Sequence, residues 1–336
     1  MSTPHIVVAD HDYGDAEIER SIVEAAGLRF TALQARSQAE IVAAVPDATC
    51  LITQYSRIGA ECIDGLPHLN HIARYGVGVD IVDVPLALDR GIVVTNVPAD
   101  YCLNEVADHA LALMLYFARG LDRYDAATRS GTWRWQSAAP VHRLAGSTVG
   151  IIGLGRIGQA VATRAQAFGC EVIAYDPYAE AAGTVVEGVE WVGLSELLSS
   201  SAYVLLQAPL TEQTRGMIDA AAISRMRDGA VLINTSRGPM VDTHAVRDAI
   251  ASGKLRGAGF DDLPEEPSKQ RDWSPADPLF STPHTLITPH AAYYSEESIA
   301  FCREWAATEA VLLATGREVR SPLPGSRTRL REETPA

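Results

Sequence analysis

Three side chains suited to acid–base chemistry follow strand-like segments in the second half of the sequence. They are Arg237 within Asn-Thr-Ser-Arg-Gly, Glu266 before Pro267, and His290 after Pro289. The carboxyl ends of parallel strands open onto one crevice, so groups distant in sequence can meet there. A protonated His290 could give a proton to a carbonyl oxygen under reduction, Glu266 would favour the charged imidazole, and Arg237 could grip a carboxylate. Together they predict reduction of a 2-oxo acid, with His290 as the base in the reverse direction.

A glycine-rich turn joins a predicted strand over 149–152 to a helical segment. Gly153 permits the tight turn, Gly155 lets the backbone approach a pyrophosphate, and Gly158 lets helix and strand pack closely. The next strand ends at Asp176, whose carboxylate can bind the adenosine ribose hydroxyls. Turn, helix and acid together predict a dinucleotide site.

The same aspartate indicates which dinucleotide binds. Asp176 would repel a 2′-phosphate, and the residue after it is Pro177 rather than an arginine, which favours NAD over NADP. The alternative is that Asp176 only ends its strand as a turn former before Pro177.

Short aliphatic runs alternate with helical patterns along the chain, which is typical of parallel α/β sheets. We predict four strands in the first hundred residues, a long buried helix over 104–119, six later strands, and a helix over 295–314. The first four strands lie at 5–9, 49–53, 71–75 and 92–95, and the later six at 148–152, 171–175, 203–207, 230–234, 257–261 and 285–288.

Composition excludes several classes of protein. Acidic residues number 42 against 28 basic ones, and the resulting net charge of −14 disfavours nucleic acid and anionic membranes as partners. The longest apolar run, 110–118, is shorter than the roughly 20 residues of a bilayer span. Five cysteines without a C-x-x-C pair suit reduced thiols in the cytoplasm, and no metal site is expected.

These motifs, in this order, resemble the NAD-dependent D-2-hydroxyacid dehydrogenase family over nearly the whole chain. The resemblance implies an α/β fold of two doubly wound parallel-sheet domains, a Rossmann NAD-binding domain over 104–292 and a flavodoxin-like substrate domain over 1–103 plus 293–324. A Pro-, Gly- and Arg-rich mobile tail would cover 325–336. The family resemblance also implies a homodimer through the cofactor domain, with 120–141 as the dimer arm.

The resemblance assigns further residues. Arg237, Glu266 and His290 take the catalytic roles described above, and the segment after Tyr75 presents backbone amides of Val77 and Gly78 to the substrate carboxylate. The resemblance places the glycine turn, Arg156 and Ile157 at the pyrophosphate of the cofactor, and Ala208, Pro209 and Thr214 near its adenosine. It places Thr235, Ser236 and Arg237 beside the nicotinamide, and Asp261 at the nicotinamide carboxamide. His290 is also expected to contact the cofactor.

One departure from the family pattern concerns Tyr293. His-Ala-Ala-Tyr-Tyr-Ser-Glu, from His290 onward, looks like the sequence of the C-terminal-binding-protein corepressors, where an active-site Trp stands in place of Tyr293. Tyr293 is therefore a candidate substrate contact. The likeness also leaves open an NAD(H)-sensing corepressor-like dimer with little turnover.

Other chemistry on this scaffold also remains open, such as oxidation of phosphoglycerate or phosphite. A phosphorylated substrate requires extra cations around the site, and the first domain offers only Arg57 and Arg74 as obvious candidates, so small acids of the glyoxylate or hydroxypyruvate type are favoured. Among the other histidines, His109 beside Asp108 is expected to be structural, and His284 to lie on a surface loop without a carboxylate partner.

Overall fold

The computed structural model describes residues 3–264 and 276–328. The chain divides into two compact units, a five-stranded unit made of Met1–Tyr101 with Ser295–Ala336 and a seven-stranded unit made of Cys102–Tyr294. Each limit of the seven-stranded unit lies two residues from the 104–292 predicted from the sequence.

Strands and helices alternate along both units. The strands are β1 (His5–Val8), β2 (Arg29–Ala32), β3 (Cys50–Thr53), β4 (His71–Arg74), β5 (Val93–Asn96), β6 (Thr148–Ile152), β7 (Glu171–Tyr175), β8 (Val189–Trp191), β9 (Tyr203–Leu206), β10 (Ala230–Asn234), β11 (Leu255–Phe260) and β12 (Thr285–Ile287). The helices are α1 (Glu17–Ala25), α2 (Gln38–Ala44), α3 (Ala60–Gly65), α4 (Val84–Asp89), α5 (Leu103–Ala118), α6 (Leu121–Arg129), α7 (Arg156–Ala167), α8 (Pro177–Ala181), α9 (Leu194–Ser200), α10 (Ala220–Arg225), α11 (Thr243–Ala251) and α12 (Glu296–Ala314).

The five-stranded sheet is parallel, with strand order β2-β1-β3-β4-β5. This is the flavodoxin-like order. Its central strands β1, β3 and β4 are buried almost throughout because both faces of the sheet are covered. One face packs on α2, α3 and α4, and the other on α1 and the C-terminal helix α12.

The seven-stranded sheet is also parallel, with the order β12-β11-β10-β9-β6-β7-β8. The chain reverses direction across the sheet between β6 and β9, as it does in doubly wound dinucleotide-binding folds. Helices α5 and α7 cover one face, and α9, α10 and α11 cover the other. The predicted fold class of two doubly wound α/β domains is confirmed.

Two strands were missing from the sequence prediction, β2 and β8. Each lies at the edge of its sheet, has only three or four residues, and is half exposed. A short half-exposed edge strand lacks the buried aliphatic run by which the other strands were recognised.

The predicted tail begins at 325, but its first residues are bound to the five-stranded unit. The Ser326 hydroxyl accepts a hydrogen bond from the Val94 amide, and the Thr328 carbonyl accepts one from Val319. The remainder of that tail, 329–336, lies outside the described residues. Within 3–264 and 276–328, no helix is both long and apolar enough to cross a membrane.

Candidate active site

The predicted site residues of the seven-stranded unit follow the carboxyl ends of its strands. Gly153 comes after β6, Asp176 after β7, Arg237 after β10, Asp261 after β11 and His290 after β12. All these strands are parallel, so the residues share one edge of one sheet. Because β10, β11 and β12 are neighbours, Arg237, Asp261 and His290 stand on three adjacent strands.

The glycine turn is built as its sequence predicts. Gly153 has a φ of +94°, and a Cβ there would lie 2.6 Å from the backbone nitrogen of Ala208. A Cβ at Gly158 would collide with the carbonyl oxygen of Gly153. Only glycine at position 158 therefore allows helix α7 to pack this closely against the turn. No described atom lies within 4 Å of a Cβ placed on Gly155.

The first turn of α7 leaves backbone donors available. Among the described residues, none accepts a hydrogen bond from the amides of Ile157 and Gly158. Unpaired amides and the positive end of the helix dipole together favour a phosphate. The turn therefore fits the pyrophosphate of a dinucleotide.

Asp176 has the strand-end role that the sequence allowed as an alternative, and it also contacts the glycine turn. One carboxylate oxygen accepts hydrogen bonds from the amides of Tyr178 and Ala179 and so caps helix α8, which begins at Pro177. The other oxygen accepts from the Leu154 amide at 2.9 Å. The strand-end aspartate thus also fixes the glycine turn, and its contact with ribose stays a prediction.

The loop after β9 carries the residues predicted near the adenosine. The Thr214 hydroxyl donates to the Pro209 carbonyl at 2.7 Å and accepts from the Thr211 amide at 2.7 Å, which closes the loop. The backbone of Ala208 lies against Gly153. These residues therefore shape the loop beside the glycine turn.

The buried side chain of Asn234 makes two hydrogen bonds to the backbone of the segment that carries Arg237. The Asn234 amide group donates to the Arg237 carbonyl and accepts from the Ser236 amide, both at 3.0 Å. The Ser236 hydroxyl donates to the Leu206 carbonyl, and Gln207 donates to the Thr235 hydroxyl. These bonds join the ends of β9 and β10 and fix the backbone from which Arg237 extends.

Asp261 organises the loop that carries His290. Its carboxylate is 2% exposed and accepts hydrogen bonds from the amides of Ala291 and Ala292, each at 2.9 Å. The Thr288 hydroxyl donates to the same carboxylate at 2.5 Å. The role predicted for Asp261 was to hold the nicotinamide carboxamide; the structure gives it this second role, which the sequence did not reveal.

His109 of helix α5 belongs to the same network. Its Nε2 atom lies 2.9 Å from the Thr288 hydroxyl and 3.6 Å from the Asp261 carboxylate. Its neighbour Asp108 pairs instead with Arg164. The adjacent Asp108 and His109 thus have separate partners, which could not be found from the sequence, and the structural role expected for His109 stays a prediction.

The remaining predicted site residues have different surroundings. The Tyr293 ring lies edge-on to the His290 ring, with centroids 6.0 Å apart. Glu266 lies outside the described residues. His284 contradicts the expectation of a loop histidine without a carboxylate partner, because its Nδ1 is 2.7 Å from Asp122.

In the five-stranded unit, the loop after β4 carries the predicted substrate contacts. Among the described residues, none accepts a hydrogen bond from the amides of Val77 and Gly78. Tyr75 is different, because its phenol is 2% exposed and donates to Glu19 at 2.8 Å. Burial and the Glu19 carboxylate raise the pKa of Tyr75 well above its usual value. The side chain of Tyr75 is therefore part of the core and not a substrate contact.

A model of the D-isomer specific 2-hydroxyacid dehydrogenase NAD binding domain matches residues 111–292, more than half of the chain. The chain belongs to this family. Its seven-stranded unit thus contains the family's NAD-binding domain, as the sequence predicted. The narrower likeness to the corepressor branch stays a prediction.

Several members of the family resemble the chain over most of its length. D-3-phosphoglycerate dehydrogenase of Mycobacterium bovis is 36% identical over 301 residues, which are 89% of this chain and 54% of that protein. The chain thus spans about half the length of the phosphoglycerate dehydrogenases it matches. Glyoxylate reductase of Pyrococcus furiosus is 38% identical over 266 residues, 76% of this chain and 77% of that one.

Solved structures of the 2-hydroxyacid dehydrogenase family share the fold. D-Lactate dehydrogenase of Aquifex aeolicus, solved with NAD and lactic acid, superposes with a TM-score of 0.82 at 27% identity. The match covers 93% of this chain and 96% of that one.

Proposed function

We propose that the protein is an NAD-linked dehydrogenase that interconverts a small 2-oxo acid and its D-2-hydroxy acid. The observation that carries this proposal is the single sheet edge that holds the glycine turn, Arg237 and the His290 loop. Dinucleotide-binding backbone and acid–base side chains at one edge are what hydride transfer to a carbonyl requires. The family relatives support the same class of reaction.

The residues at the glycine turn fit a bound NAD. The amides of Ile157 and Gly158 would hold the pyrophosphate, the open face of Gly155 would let it approach, and Asp176 would bind the adenosine ribose. Thr235, Ser236 and Asp261 stand at the strand ends where the nicotinamide is expected. Bound NADH supplies the hydride.

The protein's own side chains would handle charge and protons. His290, protonated, would donate its proton to the oxygen of the 2-oxo group as negative charge develops there, and would accept it in the reverse direction. The guanidinium of Arg237 would bind the substrate carboxylate and polarise the carbonyl. Glu266 keeps its sequence-based role of favouring the charged form of His290.

The substrate carboxylate would also bind to the amides of Val77 and Gly78. These donors have no acceptor among the described residues, and Asn96 fixes the Val77 carbonyl at 2.8 Å. An anion at two fixed backbone donors is a favourable arrangement because the amides need no reorganisation to bind it.

Small acids of the glyoxylate or hydroxypyruvate type are the substrates we favour, but Arg74 supports a second candidate class. Its guanidinium lies where a side chain at Gly76 would be, its Nε is buried, and among the described residues it has no hydrogen-bond or ion-pair partner. The segment 76–79, which follows Tyr75 and carries Val77 and Gly78, is called the substrate loop below. An unpaired cation beside this loop suits an acid with a second anionic group, such as a phosphorylated one.

A substrate panel tests the proposal. Oxidation of NADH and NADPH would be followed at 340 nm with glyoxylate, hydroxypyruvate, pyruvate, phenylpyruvate, oxaloacetate and 3-phosphohydroxypyruvate. NADH turnover with at least one acid is expected, and Arg74→Gln would raise KM only for dianionic acids if the second class is correct. Loss of kcat by about 10²–10⁴-fold in His290→Gln is the expected size for a general acid, with the exposed His244→Gln as control.

Tight NADH binding without turnover would instead favour the corepressor-like sensor. Full kcat in His290→Gln would be equally damaging, because a sensor tolerates loss of the acid and an enzyme does not. Either result would overturn the enzymatic proposal.

A cytoplasmic homodimer completes the proposal. Trp133 and Trp135 of the predicted dimer arm are 89% and 72% exposed, an unusual state for large aromatic residues unless a partner covers them. Light scattering on the intact protein and on a Trp133→Ser, Trp135→Ser double variant tests this. A monomeric wild type would refute the dimer.

A further inference from the structure

A buried ion pair in the five-stranded unit contacts Tyr75, the residue before the substrate loop. Arg303 of α12 donates from Nε and from one terminal nitrogen to the two oxygens of the Glu19 carboxylate of α1, at 2.9 and 2.8 Å. The same terminal nitrogen donates to the carbonyl and the carboxylate of Asp15, both at 2.9 Å. Glu19 and Arg303 are 1% and 5% exposed.

The ion pair has a third member, Tyr75. Its hydroxyl donates to the Glu19 oxygen that also accepts from Arg303 Nε. The Tyr13 ring packs edge-on against Tyr75 and lies under the Arg303 guanidinium, with distances of 5.4 Å for each contact. The phenol is thus held by a fixed charge and by packing from two helices and a loop.

Tyr75 is also the residue directly before the substrate loop. Its amide donates to the Thr53 carbonyl, and the Gly76 carbonyl accepts from Val97. The unpaired amides of Val77 and Gly78 come next along the chain. A shift of the Tyr75 ring would therefore move the backbone that carries these donors, because Gly76 is the only residue between Tyr75 and Val77.

We infer that Glu19 and Arg303 are positioning residues for substrate binding, which act through the Tyr75 hydroxyl to fix the amides of Val77 and Gly78. This inference rests on the proposed function. A buried charged pair holds its geometry tightly because both partners lose solvent and depend on each other. Its role here is to pre-organise the carboxylate-binding backbone, and a stabilising role in the core is compatible with it.

Tyr75→Phe tests the inference with the loss of one oxygen atom. We expect the KM for the 2-oxo acid to rise about tenfold, as loss of one hydrogen bond to a charged group predicts, while kcat changes less than about threefold. The Kd for NADH should stay within about twofold, since that site belongs to the other unit. The matched control is Tyr203→Phe, which removes the hydroxyl of a buried tyrosine in the seven-stranded unit.

A second variant separates positioning from stability. Arg303→Lys keeps the charge but cannot present the planar fork that spans both Glu19 oxygens. It should raise KM in the same direction, and the Arg303→Lys, Tyr75→Phe double variant should show less than the product of the two single effects, because both act through Glu19. Melting temperatures measured in parallel report stability independently of KM.

The outcomes are distinct. A wild type that turns over 2-oxo acids while Tyr75→Phe keeps its KM and loses only thermal stability overturns the inference and leaves the proposed function standing. Absence of wild-type turnover refutes the proposed function, and the inference is refuted with it. A raised KM with unchanged NADH binding supports both.

Discussion

The backbone N–H of His290 donates a hydrogen bond to the carbonyl oxygen of Asp261, 2.7 Å away. His290 has a φ of +52°, a left-handed conformation that costs a non-glycine residue about 1–2 kcal/mol. The Asp261 carboxylate offsets this strain by accepting the amides of Ala291 and Ala292. The candidate general acid is thus held on a strained turn by an aspartate of the neighbouring strand, which fixes where the imidazole stands.

Thr288→Val should loosen this turn without changing its shape. Valine is nearly isosteric with threonine but cannot donate to the buried Asp261 carboxylate or accept from His109. We expect kcat to fall about tenfold, the equivalent of about 1.4 kcal/mol, with an NADH Kd within about twofold of wild type. Single-turnover NADH oxidation at 340 nm would measure the effect.

The matched control for this substitution is Thr282→Val. The Thr282 hydroxyl also donates a partly buried hydrogen bond in the same unit, to the Pro278 carbonyl. The Thr282→Val substitution should lower stability and leave kcat unchanged. Equal kcat losses in the two variants would mean that the Thr288 network acts on stability alone.

Gly155→Ala should separate cofactor binding from folding. Its backbone angles suit alanine, with φ −68°, and no described atom lies within 4 Å of the added Cβ. The melting temperature should therefore stay close to that of the wild type. A methyl group facing the pyrophosphate should weaken NADH binding at least about tenfold, which fluorescence titration would show.

Gly193→Ala is the control for Gly155→Ala, because it also adds a Cβ in open space at the start of a helix. It should bind NADH normally. If Gly155→Ala also binds NADH with wild-type affinity, the dinucleotide does not approach this turn.

Asp176→Asn should shift the cofactor preference. Asparagine is as good a helix cap as aspartate, so α8 is expected to survive, whereas the bond from the Leu154 amide is lost because the asparagine NH2 group cannot accept it. Removal of the negative charge should weaken the repulsion of a 2′-phosphate, and the ratio of kcat/KM for NADPH to that for NADH should rise about tenfold. An unchanged ratio, in a variant that still folds and binds NADH, would show that Asp176 acts only on the glycine turn and as a cap.

The parts of the fold that the sequence revealed are those whose signal is local. Buried aliphatic strands, the glycine turn and helix α5 can each be recognised from the residue pattern of about ten consecutive positions, and all were predicted. Edge strands β2 and β8 were not, because each is short and half-exposed and contains a charged residue, Arg29 or Glu190, where the predicted edge strand β12 has none.

The site shows the same division. Arg237, His290 and the glycine turn stand in recognisable local motifs. The residues that support the His290 loop and the loop after Tyr75 stand in no such motif, because Thr288 and His109 are 179 residues apart and Glu19 and Arg303 are 284 apart. These four residues stand in no recognisable motif along the sequence. Only the folded arrangement of strands and helices shows that each pair is in contact.

His71 of β4 should make the protein sensitive to acid. It is 1% exposed, contacts Cys50 and Thr95 inside the sheet, and burial lowers the pKa of His71 from its ordinary value of 6.5 to about 3. Between these two values the unfolded chain takes up a proton at this residue that the folded chain does not. Stability therefore falls as the pH falls from about 6.5 towards 3, by about 2 kcal/mol at pH 5.

Denaturant unfolding at pH 7.5 and pH 5.0 would measure this loss in wild type and in His71→Gln. The variant starts less stable but should lose about 2 kcal/mol less than wild type between the two pH values, since glutamine does not titrate. The exposed His68→Gln, in the same unit, is the matched control and should follow wild type. Parallel pH dependence in all three proteins would show that His71 takes up its proton in the folded chain as readily as in the unfolded one.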